Sequence, residues 1–100
     1  MKQAEIFEGT DFGAPNFVSL AKARELVADV YDLENVMDET FHPKCLAVAN
    51  RAARMGAHSI ARVVRWLHLP GTLDTYGYDA MHIRAERVAD RWLARQESRP

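Results

Sequence analysis

The chain reads as all-α: a compact bundle of three main helices plus short helical turns, with an irregular N-terminal arm. Three observations carry this reading. From Ser19 to about Gln96, apolar residues recur at spacings of three and four, the period of a helix with one buried face. Proline and glycine fall mostly between those periodic stretches, where they punctuate the chain. The length of 100 residues, with 48% hydrophobic and 27% charged, fits one folded domain with a modest core. The expected organisation is a single domain over 1–100, with an arm over 1–18 and the bundle over 19–97.

The arm includes Gly9, Gly13 and Pro15 and has no helical period. Its Ile6, Phe7, Phe12 and Phe17 are too apolar for a disordered tail, so it is expected to lie over the core. A short strand near Glu5–Phe7 is compatible with that placement. Ser19 is a good N-cap for the first helix, and Val18 can staple to Ala23 across it. Leu20, Ala23, Val27, Val30 and Tyr31 form its expected buried stripe, with Glu25, Asp29 and Asp32 roughly opposite. Asn35 can cap a short turn through Met37 and Phe41 that carries Asp38 and Glu39.

Pro43 suits the first turn of the next helix, where a missing N–H costs nothing. Leu46, Ala49, Ala53, Gly56, Ile60, Val63 and Leu67 then follow in an unbroken 3-4 register. That register argues for one long helix over 43–69, and the small residues Ala49, Ala53 and Gly56 would admit a close neighbour. Two helices meeting at Met55-Gly56 remain the rival. Pro70-Gly71 ends the segment in either case. Tyr76 and Tyr78 sit in a connector beside Gly77, where a tyrosine is well suited to a protein contact. Asp79 is the expected cap of the last helix, which buries Met81, Ala85, Val88, Ala89, Trp92 and Leu93. Its Arg84, Arg87, Arg91 and Arg95 would face water, interleaved with Glu86 and Asp90.

Charge is distributed unevenly. Residues 1–41 hold nine acidic and three basic residues; residues 42–73 hold five basic and none acidic; residues 74–100 hold five of each. A formal net charge of −1 therefore hides a polarised chain, and local fields rather than net charge steer association. On one continuous helix Arg51, Arg54, His58, Arg62, Arg65 and His68 would share an azimuth as a rail about 25 Å long. Such a rail suits phosphates or an acidic protein, and Trp66 lies one turn after Arg62. The acidic set of Glu25, Asp29, Asp32, Asp38 and Glu39 suits a basic groove on a nucleic-acid-handling protein. The alternative for both sets is a solvated face, or mutual pairing.

Other chemistries find little support. His42 and Cys45 are too few for a zinc site, and Cys45 beside Pro43 reads as a small buried hydrophobe rather than a nucleophile. No catalytic residue, metal ligand or cofactor is expected. Met1-Lys2-Gln3-Ala4-Glu5 is no apolar leader, no run approaches the roughly 20 apolar residues of a membrane span, and the single cysteine has no internal partner. A cytoplasmic monomer without membrane association is expected. A helix-turn-helix reading aligns Gly56 with the turn glycine and Ala52 with the small position before it, but puts Arg62 and Arg65 where the second helix should be apolar. Direct nucleic-acid binding is also disfavoured by the acidic first 41 residues, which DNA would repel.

The stretch Tyr31-Asp32-Leu33-Glu34-Asn35-Val36 through Ala57-His58-Ser59-Ile60-Ala61-Arg62, extended by Gly71-Thr72-Leu73-Asp74-Thr75-Tyr76-Gly77, resembles the small anti-CRISPR proteins of phages and mobile elements. It is most similar to a helical inhibitor of the type I-F CRISPR surveillance complex. The resemblance implies a non-enzymatic protein, in the cytoplasm of a host bacterium, that docks on subunits of that guide-RNA-loaded complex and blocks target DNA. No motif defines the class, so no residue role carries over from it. The residues expected to meet a partner are therefore those of the charge pattern and the connector: Glu25, Asp29, Asp32, Asp38, Glu39, Arg51, Arg54, Arg62, Arg65, Tyr76 and Tyr78. The alternative is a small helix-turn-helix-like DNA-binding regulator using the basic 51–65 face. A third reading is a subunit that self-associates through Ala49, Ala53 and Gly56.

Overall fold

The computed structural model describes residues 18–69, 71 and 76–98, so the expected arm over 1–17 and its short strand lie outside the described residues. Among the described residues the fold is all-α. Helix α1 runs Leu20–Asp32, a 3-10 turn covers Leu33–Asn35, α2 runs Phe41–Arg54, α3 His58–Leu67 and α4 Tyr78–Glu97.

Ser19 caps α1, its hydroxyl accepting from the Lys22 N–H at 3.2 Å. The buried stripe is Ala23, Leu26, Val27 and Val30. It is rotated toward Leu26 relative to the sequence reading, which leaves Leu20 and Tyr31 partly exposed. The cause is the packing of α1 against α4, with Tyr31 at the margin reaching across to that helix. Leu33 in the 3-10 turn is buried, anchoring the exit from α1. Asp38 accepts from the Thr40 N–H at 2.9 Å, a side-chain turn that leads into α2. Pro43 falls in the first turn of α2.

The basic segment is two helices, not one. The Ala57 N–H donates to the Ala52 carbonyl at 2.8 Å and the Gly56 N–H to the Ala53 carbonyl at 3.1 Å, with Gly56 at φ +78°. This is a Schellman ending, in which a left-handed residue satisfies the last carbonyls of α2. The unbroken 3-4 register did not discriminate, because α3 turns back and buries its own apolar residues in the same core. Ala49, Ala52 and Ala57 are fully buried, and α3 is the neighbour that packs most extensively on α2. Of the small residues expected to admit a neighbour, only Ala49 is fully buried; Ala53 and Gly56 are half-buried, and Ala52 and Ala57 make the close contact in their place. On α3, Ile60, Ala61, Val63, Val64 and Leu67 are buried.

Helix α4 is the spine, packed on α1 along one side and α3 along another. Its N-cap is Gly77 at φ +93°, a conformation glycine adopts without strain, while Asp79 lies in the first turn rather than at the cap. Met81, His82, Ala85, Ala89 and Trp92 are buried; Val88 and Leu93 pack partly against the core. His82 is the one core position here that sequence periodicity did not mark, because histidine is not counted among apolar residues.

Candidate functional site

At 100° per residue, the charges of α4 fall into two sets. Arg84, Arg87, Arg91 and Arg95 share one azimuth; Glu86 and Asp90 lie roughly 120° away on the α1 side. They do not interleave as the sequence reading had them.

The α1 side is closed by hydrogen bonds. The Tyr31 hydroxyl donates to Asp90 Oδ2 at 2.7 Å, and that bond, with burial, pushes the phenol up to about 12. The Tyr78 hydroxyl donates to the Glu34 carbonyl and lies 3.8 Å from Met37 Sδ. Its ring packs on His82, tilted at 53° with centroids 4.4 Å apart. His82 is buried, its Nε2 has no hydrogen-bond partner, and burial lowers its pKa. Glu86 is raised to about 7, first by burial, then by its hydrogen bond with Glu34 and the charges of Glu34 and Asp90. Glu86 Oε2 is buried without a hydrogen-bond partner, a setting that disfavours its ionised form.

The expected contact residues divide into engaged and free. Arg51 pairs with Asp29 across α1 and α2, so both are partly withdrawn from any outside partner. Tyr78 is half-buried in the first turn of α4 and committed to Glu34. Glu25 is exposed, with Lys22 Nζ at 4.0 Å. Asp32, Asp38 and Glu39 are exposed, and the two Thr40 bonds hold the Asp38 carboxyl below its usual value. Beside them stands Met37, 78% exposed. Arg54, Arg62 and Arg65 are exposed with no carboxylate of the described residues within 4 Å. They do not form one rail. The turn at Gly56 separates Arg54 from Arg62 and Arg65, and His68, past α3, faces His42 with Nδ1 atoms 3.3 Å apart. Cys45 is buried among apolar residues, which pushes its thiol up to about 12, away from nucleophile chemistry.

A groove of about 650 Å³, which no sequence pattern marks, lies between α3 and α4. Val63, Val88 and Trp66 line it, and Arg62, Arg65 and Arg84 rim it. Arg84 sits 5.4 Å over the Trp66 ring, and Tyr76 lies 5.4 Å from the same ring. The arginines of α4 at i, i+3 and i+7 were a usable signal, but nothing in the sequence paired that face with α3.

Comparison with protein-family models, curated proteins and solved structures gave no match to this chain. Among the described residues, no three metal-ligating side chains assemble and no helix is long and apolar enough to cross a membrane.

Proposed function

We propose that this chain is a non-enzymatic, charge-guided docking protein, and that it blocks target-DNA binding by a type I CRISPR surveillance complex. The first part is supported by the survival of charge separation after folding. Only the Arg51–Asp29 pair joins the acidic first helix to the basic middle segment among the described residues. Glu25, Asp32, Asp38 and Glu39 remain outside to imitate phosphate charge against a basic, DNA-contacting surface. The second part rests on the resemblance of residues 31–36, 57–62 and 71–77 to the anti-CRISPR proteins. On this reading the protein works as a monomer in the cytoplasm of the bacterial host. Native mass spectrometry with purified type I-F surveillance complex tests it. A stoichiometric adduct that no longer binds target DNA is expected; no adduct and undiminished DNA binding would end the proposal.

The turn at Gly56 favours a second reading, a small DNA-binding regulator. Two helices joined by a three-residue turn with glycine match the helix-turn-helix plan. Because α3 buries Ile60, Val63 and Val64, Arg62 and Arg65 point outward and do not obstruct the helix pair. This reading requires a duplex shift at about 50 mM salt that weakens tenfold or more toward physiological salt.

A further inference from the structure

The α3–α4 groove combines an apolar floor with a rim of one charge. Around its mouth Leu69 is 49% exposed and Leu46 43%. No carboxylate lines it, since Glu86 and Asp90 lie toward α1. Arg87 and Arg91 continue the rim along α4, and from Arg84 to Arg95 the ridge spans about 16 Å, three turns of helix. We propose that this groove binds an acidic amphipathic helix of a partner protein, its aliphatic face on Val63, Val88 and Leu69 and its carboxylates among the arginines.

Charge complementarity selects the acidic partner, and the floor selects a protein one. A duplex presents phosphates and has no apolar row to seat against the half-exposed aliphatic side chains. Single strands bind through bases stacked on open aromatic faces. Trp66, the one tryptophan there, is already covered by Arg84 and flanked by Tyr76. A helix with leucines at i, i+3, i+4 and i+7 and glutamates elsewhere meets both requirements. The inference goes beyond the proposed function: it concerns different side chains from the acidic face, and its test needs no surveillance complex.

The probe is a fluorescein-labelled peptide of about 16 residues with that leucine–glutamate pattern, followed by anisotropy against the full chain. Binding is expected to weaken at least about tenfold in the double variant Arg62→Glu/Arg84→Glu and in Leu69→Glu, with melting temperatures nearly unchanged. Amide shifts on binding should map to α3 and α4. An isomer of the same composition with the leucine period scrambled should bind at least about tenfold more weakly. Equal binding of that isomer would overturn the proposal. So would displacement of the peptide by a single-stranded oligonucleotide of similar length, which would assign the groove to nucleic acid. A dimer that Arg62→Glu/Arg84→Glu dissociates would assign it to a second copy. Tighter peptide binding by Phe7→Glu/Phe12→Glu would assign it to the chain's own N-terminal residues.

Discussion

The two flanks of α4 handle charge in opposite ways. Toward α1, Glu86 and Asp90 are drawn against Glu34 and Tyr31, and their environment shifts Glu86 and Tyr31 far from their ordinary values. On the other flank Arg84 rims the open α3–α4 groove and Arg87 and Arg91 stand exposed along α4 beyond it, with no carboxylate of the described residues within 4 Å. One helix therefore carries charges that belong to the fold and charges that are available to a partner. Perturbed titration marks the first kind; unpaired exposure beside apolar surface marks the second. The difference predicts that substitutions on the α1 side change stability, while those on the α3 side change binding.

The largest effect should come from Leu33, buried where the 3-10 turn holds Glu34 against α4. Leu33→Ala should cost about 2–4 kcal/mol, read by urea unfolding, and should loosen the Glu34 contacts with it. Loss of less than about 1 kcal/mol would mean that the α1 flank is not packed as described.

Next is the pH dependence set by the cluster around Glu86. Its folded pKa is raised from 4.5 to about 7, so it contributes stability fully below 4.5 and loses that contribution as pH rises through about 7. His82, lowered from 6.5, acts in the reverse sense: its contribution is present above 6.5 and is lost as pH falls through its folded value. The groups facing these two are Glu34 on the 3-10 turn, Tyr31 on α1, Phe41 on α2, and Tyr78, Asp79 and Asp90 on α4. Stability should peak at mildly acidic pH. Glu86→Gln should raise stability at pH 8 by on the order of 1 kcal/mol and leave it nearly unchanged at pH 5. Thermal melts at the two pH values check this, and an equal shift at both would remove Glu86 as the titrating group.

Gly56→Ala should cost about 1 kcal/mol, because an L side chain resists the positive φ that ends α2. A stabilised variant would mean that α2 and α3 had joined into the long helix that the apolar register suggested. The smallest effect on stability is expected for Arg87→Gln, within about 0.5 kcal/mol in a chemical melt.

Much of this was legible in the sequence. Ser19, Pro43 and the apolar period located the helices, and the charge count exposed the polarity. The break at Gly56 is legible only as an alternative, because a 3-4 spacing is the same whether one helix continues or a second folds back onto the same core. The α3–α4 groove was illegible for a related reason. Helical phase shows that Arg84, Arg87 and Arg91 share a face, but tertiary packing decides which helix stands opposite. The α1-side cluster joins Tyr31 and Glu34 to Glu86 and Asp90, more than 50 positions on, and only the packed structure brings them together.

The central claim, that opposite charges remain on separate surfaces of the folded chain, can be measured residue by residue. Nuclear relaxation by a cationic and an anionic nitroxide of the same shape reports the local potential at each amide proton. Negative values are expected around residues 25 and 32–39, and positive values around 62, 65, 84, 87 and 91. A near-zero potential at both sets would contradict the claim.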